Sequence, residues 1–107
     1  MPEYQERFEE ALDFSPFPGT LNLVVDEREK EELEANVTSE RIEGFERDGE
    51  EFSAVEAFPV HLEGTEAALL EMEVTDHPPE VAEFIAPVNL REELGLEDSD
   101  TIHVRPR

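Results

Sequence analysis

The hydrophobic positions of this chain follow two spacings, one typical of a helix and one typical of strands. Apolar side chains recur every four residues at Tyr4, Phe8 and Leu12, which predicts a helix that ends at Asp13. Farther on, apolar and polar residues alternate, which predicts strands because successive side chains of a strand point to opposite faces. The predicted strands cover residues 20–25, 41–45, 52–62 with a bend near Pro59, 67–74, 81–88 and 101–105.

Cap and turn residues separate these segments. Asp26 and Asn89 stand where helix N-caps belong, which predicts short helices over residues 27–35 and from Leu90 to a C-cap at Gly95. Five or six short strands with two or three small helices favour a mainly β fold, a compact six-stranded β-barrel, over an open α+β sandwich. The length of 107 residues and the lack of a long linker predict one domain, residues 1–107.

The charge of the chain is strongly negative and evenly spread. Thirty acidic and eight basic residues give a net charge of −22, and Lys30 is the only lysine. Such a balance argues against binding nucleic acid or an anionic membrane through a general surface field. No apolar run reaches the ~20 residues of a membrane span. We therefore expect a cytoplasmic monomer that binds neither nucleic acid nor membrane.

An acidic coat with almost no lysine is typical of proteins from a salt-loaded cytoplasm, where a Debye length of about 3 Å at 1 M salt screens self-repulsion. We expect the fold to loosen in dilute buffer, since the 30 acidic side chains then repel one another. Circular dichroism recorded from millimolar to molar KCl checks this, and a spectrum that stays constant over the series contradicts it.

The segment from Ser15 to Asp26 carries the first candidate chemistry. Thr20 and Asn22 are two residues apart in a predicted strand, so both side chains lie on one face, roughly 7 Å apart at Cα. Each offers an uncharged oxygen, and Mg²⁺ bound to nucleotide phosphates needs few protein ligands. An ordinary strand threonine and a turn asparagine account for the same pattern.

Two further positions combine polar chemistry with a structural alternative. Glu83 lies among apolar neighbours of a predicted strand, so it is either an exposed strand-end acid or a functional carboxylate. Asn89 is an N-cap by type, yet the helix start that it caps also offers backbone N–H groups to a phosphate. Arg91 in the first turn opposes the helix dipole, which a bound anion or a surface ion pair with a carboxylate would explain.

Taken together, three segments resemble the archaeal CTP-dependent riboflavin kinases. They are PFPGTLNL (residues 16–23), TDHPPEVAEFIAP (residues 75–87) and VNLREELGL (residues 88–96), and EGF at residues 43–45 adds to them. The resemblance implies a six-stranded cradle-loop barrel that transfers the γ-phosphoryl group of CTP to the 5′-hydroxyl of riboflavin, giving FMN and CDP.

The same resemblance implies roles for particular residues. Thr20 and Asn22 look like ligands of Mg²⁺, the implied cofactor. Thr75 and Glu83 look like flavin-binding residues, and we expect Glu83 to act as the catalytic proton acceptor. The nucleotide-binding residues implied by the motif are Val88, Asn89, Leu90 and Arg91.

The printed chain departs from the family at its start. The family pattern begins with a glycine-rich strand, and no GxG segment precedes the first predicted helix here. We therefore expect the first barrel strand to be missing, which would remove backbone donors to the phosphates. A flavin- or nucleotide-binding barrel without turnover is the alternative function.

Overall fold

A mainly β fold with three short helices emerges from the computed structural model, which describes residues 4–72 and 78–106. Helix α1 (Gln5–Leu12), strand β1 (Leu21–Val24) and helix α2 (Glu27–Asn36) come first. Five strands follow, namely β2 (Glu40–Ile42), β3 (Phe45–Arg47), β4 (Glu50–Phe52), β5 (Val55–Leu62) and β6 (Thr65–Met72). Strand β7 (Val81–Ile85), helix α3 (Leu90–Leu94) and strand β8 (Arg105–Pro106) complete the order.

One six-stranded antiparallel sheet forms the centre of the molecule. Its main path runs β1-β7-β6-β5-β2, and β8 pairs with β5 beside this path. The longest ladder joins β5 to β6 across a turn at Glu63 and Gly64. Both turn residues have positive φ, as the tightest hairpin connections require. The sheet places β1 next to β7, although 56 residues of chain separate the end of one from the start of the other.

The C-terminal segment connects the two sides of the sheet. Backbone hydrogen bonds of 2.8–3.0 Å join residues 99–102 to Asn22 and Val24 of β1. Strand β8 then pairs with the far end of β5. The contact with β1 is a single parallel bridge at Thr101 rather than the strand expected over residues 101–105. The fold is therefore barrel-like, as the sequence predicts, without a continuous ladder all the way round.

Apolar side chains pack against both faces of the sheet. On one face lies a cluster that α2 and the C-terminal segment cover, with Leu23, Leu33, Val60, Leu69, Phe84 and Ile102 among its members. On the other face α1 inserts its predicted stripe, Tyr4, Phe8 and Leu12, against Val55, Leu70 and Ile85. Burial on two faces explains why the middle strands are almost continuously apolar.

The two strands predicted over residues 41–45 and 52–62 are each broken in the structure. The first is interrupted at residues 43 and 44. A side chain fits poorly at Gly44, because a Cβ atom there would lie 3.0 Å from the carbonyl oxygen of Phe52. The second breaks at Ser53 and Ala54, whereas Pro59, the expected bend, lies inside β5 opposite Ala68. Strands β3 and β4 thereby leave the main sheet and form a separate hairpin. The strand predicted over residues 81–88 likewise ends early, at Ile85.

The predicted helix caps are present. Asp26 Oδ1 accepts hydrogen bonds from the backbone N–H groups of Arg28 and Glu29, at 2.9 and 3.1 Å. Helix α2 runs one residue beyond the predicted end, to Asn36, whose side-chain amide donates to the carbonyl oxygen of Glu32 at 2.7 Å. Among the described residues there is no helix of the length and apolarity that a membrane crossing needs.

A half-buried group of charges lies where α2 packs on the sheet. Glu56 and Glu71 are direct cross-strand partners on β5 and β6. Lys30 Nζ is 2.8 Å from Glu71 Oε1, while Glu34 Oε2 is buried without a hydrogen-bond partner among the described residues. The pKa of Glu34 is raised to about 7, mainly because the carboxyl group is partly buried and secondly because Glu71 is close. Lys30 has the opposite effect and lowers this pKa.

This raised pKa predicts a pH-dependent stability. The folded state holds the Glu34 proton more tightly than the unfolded chain, whose pKa stays near 4.5, so the stabilisation is complete below pH 4.5 and is lost as pH rises through 7. Glu34→Gln should match the wild type at pH 5 and exceed its free energy of unfolding by about 1 kcal/mol at pH 8, a value reduced for partial exposure. Urea unfolding in molar KCl measures both.

Glu31→Gln is the matched control, because Glu31 is an exposed residue of the same helix. Its free energy of unfolding should differ from that of the wild type by an amount that does not change with pH. Equal pH dependence of the two variants would show that overall charge, rather than the position of Glu34, governs the effect.

Candidate functional site

A proline–glycine corner leads the chain from α1 into β1. The side-chain amide of Gln5 donates to the carbonyl oxygen of Pro16 at 2.8 Å, which ties the corner to α1. The backbone N–H of Phe17 donates to the carbonyl oxygen of Ala86 at 2.7 Å, which ties it to the end of β7. Gly19 has a φ of +99°, a conformation that glycine adopts readily and other residues rarely. The corner is therefore held from two sides just before β1 begins.

Three of the predicted site residues lie together where β1 meets β7. Asn22 and Glu83 are directly opposite each other in the ladder, a position that brings Cβ atoms to about 5 Å. Thr20 Oγ1 donates a hydrogen bond to Glu83 Oε1 at 3.4 Å. All three residues are half-buried. The structure thus gathers a hydroxyl, an amide and a carboxylate at one point of the sheet.

This group of oxygens has the properties of a partial Mg²⁺ site. Asn22 Oδ1 is buried and makes no hydrogen bond to any described residue, and an unsatisfied buried acceptor costs about 1–3 kcal/mol. Oxygen donors are those that Mg²⁺ prefers, and the ion commonly completes its shell with phosphates and water. Residues 4–72 and 78–106 contain no cluster of three His, Cys, Asp or Glu side chains that could hold a metal. The donor set therefore fits Mg²⁺ bound together with phosphates rather than in a protein cage.

A cleft of about 170 Å³ borders this group at Thr20, while Asn22 and Glu83 do not line it. One wall is the proline–glycine corner, which includes Phe17 and Thr20, and the opposite wall is the start of α3, residues 88–91. Asn89 Oδ1 accepts a hydrogen bond from the backbone N–H of Arg91 at 3.1 Å, so Asn89 is the N-cap of α3 as its residue type predicts. The cleft thus brings the predicted nucleotide residues within one space that Thr20 also lines.

Asp98 connects the two sides of the site, and it was not among the residues predicted from the sequence. Its Oδ1 accepts from the backbone N–H of Asn22 at 3.1 Å, and its Oδ2 accepts from the Arg91 guanidinium at 2.9 Å. These two hydrogen bonds lower the pKa of Asp98 below its ordinary value. Arg91, whose place in the first turn called for a bound anion or a surface ion pair, therefore has the ion pair in this structure.

Most, though not all, of the predicted site residues lie within this region. Thr20, Asn22 and Glu83 meet at the strands, while residues 88–91 line the cleft. Thr75, the other predicted flavin contact, lies outside the described residues. Asp98 could not be singled out beforehand because it is one of 30 acidic residues in the chain, and its partners on β1 and α3 are 76 and 7 residues away. The binding roles of all these residues stay predictions.

Comparison with known proteins supports a common origin over the whole described chain. The family model CTP-dep_RFKase, described as "Domain of unknown function DUF120", matches residues 1–105. A riboflavin kinase of Thermococcus kodakarensis is 42% identical over 103 residues, which cover 95% of this chain and 49% of that protein. A riboflavin kinase of Ignicoccus hospitalis is 41% identical over 103 residues, 94% of this chain and 58% of the relative.

A third relative, a riboflavin kinase of Methanosarcina acetivorans, is 41% identical over 109 aligned residues, which cover 98% of this chain and 45% of that protein. The chain spans about half the length of the curated relatives that it matches. The family match extends through β1, β7 and α3, which build the candidate site. The chain belongs to the CTP-dependent riboflavin kinase domain family.

Proposed function

We propose that this chain is a CTP-dependent riboflavin kinase that uses the site between β1, β7 and α3. The observation that carries the proposal is Asn22 Oδ1, a buried acceptor without a hydrogen-bond partner among the described residues. It lies in the same group as Glu83 and Thr20, and Thr20 also lines the cleft. Related archaeal proteins of about 40% identity are riboflavin kinases. An unsatisfied buried acceptor beside a hydroxyl and a carboxylate supports a ligand at this point of the sheet.

Thr20 and Asn22 would hold Mg²⁺ through their side-chain oxygens. When bound, the ion supplies charge neutralisation to the phosphates, a main requirement of phosphoryl transfer. The protein needs such help because its net charge of −22 opposes the approach of a nucleotide. Arg91 and the capped start of α3 lie on the opposite wall, where they can face the nucleotide. The side chain of Arg91 is about half exposed, and exchanging an exposed carboxylate partner for a phosphate costs little.

In this proposal Glu83 handles the proton of the reaction. The ribityl 5′-hydroxyl oxygen of riboflavin forms a bond to the γ-phosphorus, and the bond between that phosphorus and the β,γ-bridging oxygen breaks. The bridging oxygen leaves with CDP and keeps the electron pair, while the hydroxyl proton passes to the Glu83 carboxylate. The hydrogen bond from Thr20 orients one oxygen of that carboxylate and leaves its other oxygen available. A positioned proton acceptor of this kind contributes about 10²–10⁴-fold to a rate.

The same proposal extends to the cellular setting. We take the protein to work as a monomer in a salt-rich cytoplasm, which the evenly spread acidic residues support. Thr75, outside the described residues, is the second proposed flavin contact. Val88 and Leu90 supply the apolar part of the nucleotide wall, because both line the cleft.

An assay of FMN formation tests the proposal. The chain is incubated in molar KCl with riboflavin, Mg²⁺ and either CTP or ATP, and FMN is separated from riboflavin by chromatography. We expect FMN with CTP, less with ATP, and none when EDTA removes the metal. Measurable riboflavin binding without FMN from either nucleotide would contradict turnover and favour a non-catalytic flavin- or nucleotide-binding barrel.

A further inference from the structure

Phe17 is placed differently from the other large apolar side chains. Among the described residues it is the one large hydrophobic side chain that is exposed, with 44% of its surface accessible. It lines the mouth of the cleft between the proline–glycine corner and α3. The remaining described phenylalanines are buried or half-buried in the two cores and the hairpin. A single exposed hydrophobic side chain is ordinary on a protein surface, so it is the place of this ring beside the cleft, rather than its exposure, that points to a ligand.

The backbone that carries this ring is held from two sides. The N–H of Phe17 donates to Ala86 at 2.7 Å, and the carbonyl of the preceding residue, Pro16, accepts from Gln5 at 2.8 Å. Pro16 itself is buried, and Pro18 follows directly. Prolines on both sides restrict the backbone of the corner, so little backbone freedom is left to lose when a ligand binds. The corner is thus built to present an aromatic surface rather than to hide one.

The surroundings of Phe17 suit a flat, partly apolar ring. Apolar side chains such as Val88 and Leu90 line the cleft together with the polar residues Thr20, Asn89 and Arg91. This mixed lining suits a ring that has polar edges. Rings of this kind gain about 1–3 kcal/mol from stacking on an aromatic side chain. Resting on the function proposed above, we propose that Phe17 is a stacking platform for the planar heteroaromatic ring of a substrate, either the flavin or the cytosine base.

Direct binding measurements test this inference separately from turnover. Riboflavin binding is followed by quenching of flavin fluorescence, and CDP–Mg²⁺ and tripolyphosphate–Mg²⁺ binding by calorimetry, all in molar KCl. Phe17→Leu keeps an apolar side chain and removes the ring, whereas Phe17→Tyr keeps the ring. We expect Phe17→Leu to weaken binding of one ring-bearing ligand about tenfold, Phe17→Tyr to stay within twofold, and both to bind tripolyphosphate like the wild type.

The outcomes show whether the ring that stacks on Phe17 is the flavin or the cytosine base. A loss confined to riboflavin identifies the flavin as the stacked ring, and a loss confined to CDP identifies the base. Unchanged affinity of Phe17→Leu for both, while the wild type binds them and forms FMN, overturns the stacking role and leaves the proposed function intact. An equal loss of tripolyphosphate binding also overturns it, because the corner as a whole would then have moved. A wild type that binds neither ligand refutes both proposals.

Discussion

Glu83→Gln is expected to lower kcat for FMN formation about 100-fold while the KM for CTP changes little. Glutamine has nearly the same size as glutamate and can still accept the hydrogen bond that Thr20 donates, so the local packing is kept. It cannot take the ribityl proton, and removing a positioned proton acceptor costs about 10²–10⁴-fold. Steady-state rates at saturating riboflavin and CTP measure the effect.

Glu80→Gln is the matched control, since Glu80 lies just before β7 and is exposed. This substitution removes one negative charge from the chain, as Glu83→Gln does, and should leave kcat within twofold of the wild-type value. Full turnover by Glu83→Gln would show that Glu83 does not accept the proton. The role proposed for Glu83 of β7 would then be wrong.

Asn22→Ala is the second substitution with a large expected effect. It removes the orphaned Oδ1 atom and with it one of the two proposed Mg²⁺ ligands. We expect kcat/KM to fall about 100-fold, equivalent to about 2.7 kcal/mol of transition-state stabilisation, and the Mg²⁺ concentration for half-maximal rate to rise. Because Oδ1 makes no hydrogen bond to a described residue, thermal unfolding should occur at the wild-type temperature or above it.

Asn36→Ala provides the comparison for this variant. Asn36 ends α2, where its amide hydrogen bonds the carbonyl of Glu32, away from the cleft. Its loss should cost some stability and no activity, the reverse of the pattern expected for Asn22. If Asn22→Ala keeps wild-type turnover and Mg²⁺ dependence, the orphaned oxygen is a packing defect rather than a metal ligand.

Local patterns in the sequence predict much of this fold. The stripe of α1, the N-caps at Asp26 and Asn89 and the C-cap at Gly95 depend on neighbouring residues, and the structure has them all. The alternating pattern also places the strands, although their ends differ. The breaks at Gly44 and at Ser53 lie where separate segments touch: Gly44 lies close to the backbone of Phe52, and the Tyr4 hydroxyl donates to the carbonyl oxygen of Ser53 at 2.9 Å. Periodicity carries no information on such contacts.

The candidate site could likewise be predicted only in part from the sequence. The spacing of Thr20 and Asn22 predicts that they lie close together, although β1 begins only at Leu21 and Thr20 directly precedes it. Their contact with Glu83 depends on the pairing of β1 with β7, across more than 60 residues. The motif resemblance pointed to these residues because a family pattern carries that tertiary information. Asp98 and Phe17 were not singled out, since their significance comes from what they contact and from exposure beside a cleft. The structure supplies those two facts.

The central claim is that β1, β7 and α3 form one site for a metal ion and a nucleotide. The most direct test is to add Mn²⁺ with CDP to ¹⁵N-labelled protein in molar KCl and record which backbone amide signals the paramagnetic ion broadens. We expect broadening centred on Thr20, Asn22 and Glu83 that extends to residues 89–91, and we expect this broadening to be lost in Asn22→Ala. Broadening spread over the acidic surface, or centred elsewhere, would contradict the account.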